Sequence, residues 1–434
     1  MNKKTIMILI LMPLLMMSCQ SASAIANGMQ PLEDSDLRKV VGQGLIVSDY
    51  IQGDALANPN EYSTPFDFYR IGLDGELALN LNISKLQLGC GGINDHLSGH
   101  AGCDIDIDYG SFMGRNGTAL GEPGSAFKLL RPYIEFAVKN DDSPTLREIA
   151  GIKIGAQSAD GAISAGRRYF TNGAINQENT ALATTCNTGA STGNGVLGCH
   201  SGINSVSGFL GAELSISMRV QARICGGALV FGGCLGIPVP LDAWGCTGRT
   251  QFTGDPCGTG LSDALFVDIA GTRMQTLGLR SAKLKLDGNG FSSLITTLLD
   301  SAYAQLNTDL RSVHKLTFED TPDFFISFQR EPIAYPRYSK LPPISELAGN
   351  EFDGCNTSYA TARCNSAYAV PANTGWWLNA PSVKLLDVLN ESANLGLLSI
   401  GDALDLLAAP GYLIEHPEFE LSPAKNCYGS SNFC

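Results

Sequence analysis

Apolar and polar residues alternate over much of this chain, and a period of two predicts strands rather than helices. Leu77, Leu79, Leu81 and Ile83 share one parity before the phase moves to Leu86 and Leu88, which predicts a bulge. Ile134, Phe136 and Val138 alternate, as do Leu214, Ile216, Met218, Val220, Ala222 and Ile224, and Leu45 to Tyr50 reads as a further strand. Leu316-x-Phe318 and Phe324-x-Ile326-x-Phe328 flank Asp320-Thr321-Pro322-Asp323, whose turn-forming residues predict a hairpin. Alternation of this kind belongs to antiparallel strands with one face on a core and the other in water.

Two stretches follow a different period. Phe291, Leu294, Ile295, Leu298, Leu299, Ala302, Leu306 and Leu310 recur at helical spacing, so Phe291–Leu310 is expected to be an amphipathic helix lying on the sheet. Acidic and capping residues from Glu33 to Asp36 precede Leu37, Val40 and Val41, and Gly42 follows, which predicts one short capped helix. Val383–Ala409 is apolar with a mixed period and fits either state. Asn187–Asn204 is rich in Gly, Ser and Thr and is expected to be loop. The expected fold is mainly β: antiparallel, sandwich-like sheets with disulfide-clipped loops and one or two amphipathic helices. No long linker and no repeat interrupts it, so residues 27–434 make one large domain or two closely packed ones.

The first residues change the picture. Met1-Asn2-Lys3-Lys4 is basic, Thr5 to Met17 is an apolar run of 13 residues, and Ala22-Ser23-Ala24 follows as an A-x-A cleavage site. The run is too short for a membrane-spanning helix, which needs about 20 residues. Residues 1–26 therefore read as a cleavable secretory signal. A competing reading is lipoprotein processing at Cys19, although the aliphatic residue of a lipobox is displaced to Leu15.

Export explains the cysteines. Beyond Cys19 there are twelve, in six neighbouring pairs: Cys90/Cys103, Cys186/Cys199, Cys225/Cys234, Cys246/Cys257, Cys355/Cys364 and Cys427/Cys434. An even number at close spacing in an exported chain predicts disulfides that pin local loops. Zinc is disfavoured, because no C-x-x-C occurs and only five histidines are present.

Charge narrows the partners. Loss of residues 1–26 removes Lys3 and Lys4 and carries the formal charge from −13 to −15. Such a chain lacks the phosphate-neutralising surface of a nucleic-acid binder and is repelled by anionic lipid headgroups. Charged residues make up only 16%, while Gly reaches 49 of 434 positions, a composition suited to an extracellular β protein with neutral loops. No second long apolar run exists, so no transmembrane helix is expected in the mature chain.

The segment Met29-Gln30-Pro31-Leu32-Glu33-Asp34-Ser35-Asp36-Leu37, continuing to Val40 and to Gly42-Gln43-Gly44, resembles the opening of the Fil-type pilus-assembly family of Acinetobacter and its relatives. In that family a box of this kind directly follows the signal. Cys103-Asp104-Ile105-Asp106-Ile107-Asp108 resembles a strand of the same group. The resemblance rests on about twenty residues. It implies a role in surface or pilus biogenesis, with other pilus or surface-assembly proteins as partners, and it supplies no catalytic residues. A type IV pilin needs a Gly-Phe processing site followed by a glutamate five residues into a long helix; no such arrangement opens this chain, so a major type IV pilin subunit is not expected.

Candidate chemistry is sparse. Gly189-Ala190-Ser191-Thr192-Gly193 fits G-x-S-x-G, but it sits in a glycine-rich loop instead of the strand-to-helix turn a nucleophile elbow needs. Ser125-Ala126-Phe127-Lys128 fits S-x-x-K without a companion K-T-G. Asp104, Asp106 and Asp108 place three carboxylates on one strand face and could hold Ca²⁺, or could be an exposed polar face. An EF-hand is excluded, since Tyr109 and Arg115 stand where Gly and Glu are required. His96 and His100 lie four apart, beside Gly99 and Gly102. Trp376-Trp377 with Tyr368 could stack a sugar, although adjacent strand residues point to opposite faces.

No catalytic residue and no cofactor is assigned. The expected function is a cell-surface or pilus-associated structural, assembly or adhesive protein without turnover, located in the periplasm, at the outer-membrane surface or outside the cell. The alternatives are a secreted carbohydrate-active or other hydrolase, and an envelope lipoprotein.

Overall fold

The computed structural model describes residues 45–53, 66–96, 102–115, 126–168, 170–171, 174–175, 200–226, 229–230, 233–247, 265–288, 293, 301–338, 368–406 and 412–415. Met1–Gly44 and Leu45–Cys434 are separate compact units, and every element below belongs to the second. The signal, Cys19, the short capped helix and the Met29–Gly44 box lie outside the described residues.

The alternating segments form strands, and 15 of them share one sheet. These are β1 (Ile46–Ile51), β2 (Asp67–Leu73), β3 (Glu76–Leu79), β4 (Leu81–Leu88), β5 (Ile105–Met113), β6 (Phe127–Lys139) and β7 (Glu148–Ser164). After them come β8 (Ile203–Cys225), β9 (Val239–Thr247), β10 (Leu265–Met274), β11 (Thr276–Gly288) and β12 (Ser301–Asp309). The last three are β13 (Lys315–Gln329), β14 (Gly375–Ser399) and β15 (Tyr412–Glu415). The order across the sheet is β1-β2-β6-β7-β13-β14-β8-β9-β11-β12-β15. Most neighbours are antiparallel; β8–β14 and β12–β15 are parallel. The mainly β expectation is therefore met, in a mixed sheet. Because β5 pairs with both β7 and β8, the pairings β7–β13–β14–β8–β5 close into a ring.

Several local expectations are corrected. Ser301–Asp309, the second half of the expected helix Phe291–Leu310, is strand β12, paired with β11 from Thr276↔Asp309 to Lys285↔Ser301. Ala302 and Leu306 are four apart, a spacing that satisfies a period of two as well as a helix, and the cross-strand partners decide between them. Ser293 is helical, and the rest of residues 291–300 lies outside the described set.

Asp320-Thr321-Pro322-Asp323 is not a hairpin. β13 runs straight through it against β7, with a register shift between Phe318 and Thr321 and left-handed backbone at Asp320 (φ 48°) and Asp323 (φ 49°). A bulge adds one residue to one strand and so reverses which parity faces inward. Leu316 and Phe318 point in, whereas Ile326 and Phe328, of the same parity, point away.

The bulge expected between Ile83 and Leu86 is also absent. Register with β5 is constant from Leu81↔Phe112 to Leu88↔Ile105. The phase change instead lies opposite Tyr109, whose φ is 48°.

The ambiguous stretch after Val383 is strand to Ser399 and then helix α1 (Ile400–Leu406). Its start is a capping pair, in which the Asp402 amide donates to Ser399 Oγ at 3.1 Å and the Ser399 amide to Asp402 Oδ2 at 3.0 Å. Among the described residues no helix is long and apolar enough to cross a membrane.

The larger core joins β6, β7, β8, β9, β11, β13 and β14 through Phe127, Ile163, Leu214, Val220, Leu241, Leu284, Phe318 and Val383. A second core, around Phe68, Phe325, Tyr335, Tyr368 and Trp377, lies where residues 333–338 and 368–372 cover the sheet. Cys90–Cys103 and Cys225–Cys234 are bridged, each to the expected neighbour. Cys246 is disulfide-bonded as well. Cys186, Cys199, Cys257, Cys355, Cys364, Cys427 and Cys434 lie outside the described residues.

Candidate functional site

The candidate site is a sheet face on β1, β2, β6, β7, β13 and β14 whose polarity is inverted. On β2, β6 and β7 an ionic residue stands between two apolar ones: Tyr69-Arg70-Ile71, Ile134-Glu135-Phe136 and Ile152-Lys153-Ile154. The middle residue is buried in each case and its neighbours face outward.

Register aligns these triplets. One outward row runs Tyr50, Tyr69, Phe136, Ile152, Phe328 and Trp376 across six strands. The next runs Ile71, Ile134, Ile154, Ile326 and Leu378, and Ile46 opposite Leu73 begins a third. Ile71 is 54% exposed and Ile154 51%, so these side chains face solvent. Tyr50 stacks on Tyr69 at 5.0 Å and Phe328 on Trp376 at 5.4 Å between ring centroids. Scattered exposed hydrophobes are ordinary, but contiguous rows of them mark an interaction surface.

Behind the outward rows lies an inward one: Arg70 opposite Glu135, Glu135 opposite Lys153, Lys153 opposite Ser327. Arg70 Nε donates to Glu135 Oε2 at 2.7 Å. Lys153 Nζ donates to Asp323 Oδ1 at 3.2 Å and to the Pro336 carbonyl at 3.1 Å, and lies 3.7 Å from Glu135 Oε1. The two cations and two carboxylates cancel, and none of the four is more than 2% exposed. Aromatic faces solvate the cations, with Arg70 4.5 Å from the Tyr133 ring and Lys153 4.4 Å from the Phe325 ring. Burial, followed by the charges of Asp323 and Glu135, pushes the Tyr133 hydroxyl well above its usual range. Burial alone would lower the Arg70 pKa, but Glu135 and Tyr133 outweigh it and the guanidinium is held charged.

At the aromatic end, the Tyr69 hydroxyl donates to Asp141 Oδ2 at 2.5 Å. That hydrogen bond, then burial and the Asp141 charge, pushes its pKa up to about 12.

The three aspartates that could have held Ca²⁺ do not converge. Lys85 Nζ sits 2.7 Å from Asp106 and 2.8 Å from Asp108, and Asn204 donates to both. Asp104 precedes β5 and turns the other way. It accepts from Arg273 Nε at 3.0 Å, Asn94 Nδ2 at 2.8 Å and the Trp376 amide at 2.9 Å. A Cβ at Gly375 (φ +97°) would lie 2.4 Å from Asp104 Oδ2, so only glycine fits there. Arg273 also donates to Asp95 Oδ1 at 2.5 Å, and the cluster ties the Cys90–Cys103 loop to β10 and β14. Among the described residues no group of three or more His, Cys, Asp or Glu is placed to hold a metal ion.

Trp376, Trp377 and Tyr368 do not form one platform, since the adjacent tryptophans point to opposite faces. Trp377 and Tyr368 are buried in the second core, Tyr368 donating to the Gly53 carbonyl at 3.1 Å. Only Trp376 points outward. Lys128 of the S-x-x-K motif pairs with Glu76 at 3.2 Å. Ser125, His100 and Gly189–Gly193 lie outside the described residues.

The inverted face departs from ordinary alternation, in which the apolar half points inward. Its visible signal was one charge inside each of three apolar triplets. No protein-family model, no curated protein and no solved structure matches this chain.

Proposed function

We propose that the protein is a non-enzymatic structural or assembly component of the cell envelope, and that the outward apolar face is its assembly surface. One observation carries this reading: aligned rows of aromatic and branched side chains, many of them exposed, cross the sheet, one over six strands and the next over five. Rigid elements present an interface more accurately than loops do. The buried ionic row supports the same reading. Its carboxylates are engaged by Arg70 and Lys153, and residues 333–338 lie over it, which leaves no open approach for a substrate. The Cys90–Cys103 and Cys225–Cys234 bridges suit an oxidising compartment, as an exported chain would meet. The pilus-assembly resemblance of the Met29–Gly44 segment points to fibres as the setting.

The test is deletion of the coding region, with electron microscopy of surface fibres and an attachment assay. Loss of fibres or attachment, restored by the wild-type chain but not by an Ile71→Lys/Ile154→Lys chain present at equal level, is the expected result. Unchanged fibres and attachment, with a hydrolytic activity in the purified protein, would overturn it.

A further inference from the structure

We infer that the occupant of the outward apolar face is a second copy of this chain, packed sheet to sheet about a twofold axis; this rests on reading that face as an assembly surface. A face that meets its own copy must be self-complementary. The two outward rows carry no ionic side chain from β2 to β14. Ion pairs bound the face at both ends: Lys139–Glu331 at 2.9 Å and Arg147–Asp141 at 2.9 Å beside the aromatic row, Arg131–Asp74 at 2.6 Å and Lys128–Glu76 at 3.2 Å at the other. These pairs are neutral as a set, so both signs are available on each rim when two copies meet. A chain of formal charge −13 would otherwise repel itself.

Magnitudes separate this occupant from a lipid bilayer. Six strands spaced ~4.8 Å apart, with outward rows ~7 Å apart, form a patch on the order of 500 Å². Two such faces bury about 1,000 Å², the lower end of a specific interface, and twisted sheets stack in this way about 10 Å apart. The two full rows, extended by Ile46 and Leu73 on β1 and β2 only, give a band of at most about 14 Å, whereas strands that cross an outer membrane carry a band of about 25 Å. Lying on an anionic leaflet would favour a basic rim, and the ion pairs that bound this face carry no excess of cations.

Sedimentation velocity of the full oxidised mature chain tests the inference. A reversible doubling of mass across the micromolar range is expected. Ile71→Lys/Ile154→Lys should weaken it at least a hundredfold, and Ile71→Ser alone about tenfold. Both positions are half exposed, so the monomer should keep its near-ultraviolet circular dichroism. Ile237→Lys, at an exposed site off this face, should leave association within twofold of wild type. A wild-type chain that stays monomeric at every concentration overturns the inference, and so does association that survives the lysine pair.

Vesicles of phosphatidylcholine and phosphatidylglycerol separate the two levels of the argument. Vesicle binding lost in Ile71→Lys/Ile154→Lys, with a monomeric wild type, makes lipid the occupant and overturns the second copy while the assembly surface stands. No dimer and no vesicle binding, together with unchanged fibres on deletion, overturns both.

Discussion

Two regions of the one sheet use the same alternation with opposite polarity. Around β8, β9 and β11 the buried side chains are Leu214, Val220, Ala222, Leu241, Ala243, Leu277 and Leu284, and the exposed ones include Arg219 and Asp242. Around β2, β6 and β7 the buried side chains include Arg70, Glu135 and Lys153 beside Phe68, Tyr133 and Ala137, and the exposed ones include isoleucine, tyrosine and leucine. A period of two therefore establishes that two faces differ without establishing which is inside. That is decided by what lies over each face. Over the ionic row lie the Pro336 carbonyl and the rings of Tyr133, Tyr335 and Tyr338, which supply acceptors and aromatic surface to two cations.

The contrast can be broken first at the ionic row. Lys153→Ala leaves Glu135 and Asp323 with one cation between them in a buried site, and removing one partner of a buried pair typically costs about 3–5 kcal/mol. Chemical denaturation should read a loss of that size. A loss under about 1 kcal/mol would mean that water reaches the row.

The corresponding change in the apolar region is Leu284→Ala, at a side chain with no exposure. It should cost about 3 kcal/mol from lost transfer energy and the cavity left behind. Because the two regions share β6, β7, β13 and β14, both substitutions should shift a single cooperative transition. Two separate transitions would show that the regions fold independently.

A smaller effect concerns pH. Tyr69 has its folded pKa raised to about 12 against 10.0 in the unfolded chain. A raised value contributes stability that is fully present below pH 10 and is lost as pH climbs from 10 towards 12. Tyr69→Phe should flatten the fall of melting temperature over that window, and an unchanged slope would show that Asp141 does not hold the hydroxyl in solution.

The smallest change belongs to the outer surface of the apolar region. Arg219 meets Asp242 through two hydrogen bonds of 2.9 and 2.8 Å, but both side chains are more than 40% exposed. Arg219→Ala should cost under about 1 kcal/mol and less still in high salt. A loss comparable to that of Lys153→Ala would erase the distinction between the regions.

Much of the fold was legible in the sequence. Leu214, Val220 and Ala222 alternate and are buried as alternation predicts, and the Cys90–Cys103 and Cys225–Cys234 bridges join neighbours. The candidate site was less legible. The alternation of Ile134 and Phe136 marks a strand face, but it does not say that this face is the outward one. Trp376 and Trp377 fall on opposite faces as adjacent strand residues should, whereas Tyr368 is buried in the second core, bridged to Pro336.

The sequence by itself determined that this chain is mainly β, which residues alternate and where cysteines could bridge their neighbours. These are local properties, set by side-chain parity and by loop closure over a few residues. Only the tertiary structure decided the parity switch at Asp320 to Asp323, the strand state of Ser301–Asp309 and the inward turn of Arg70, Glu135 and Lys153. Each depends on a partner remote in sequence: β7 opposite the bulge, β11 opposite Ser301–Asp309, and the Pro336 carbonyl over the ionic row. A buried charge is tolerated only where such partners replace its water, and no local pattern records whether they will be there.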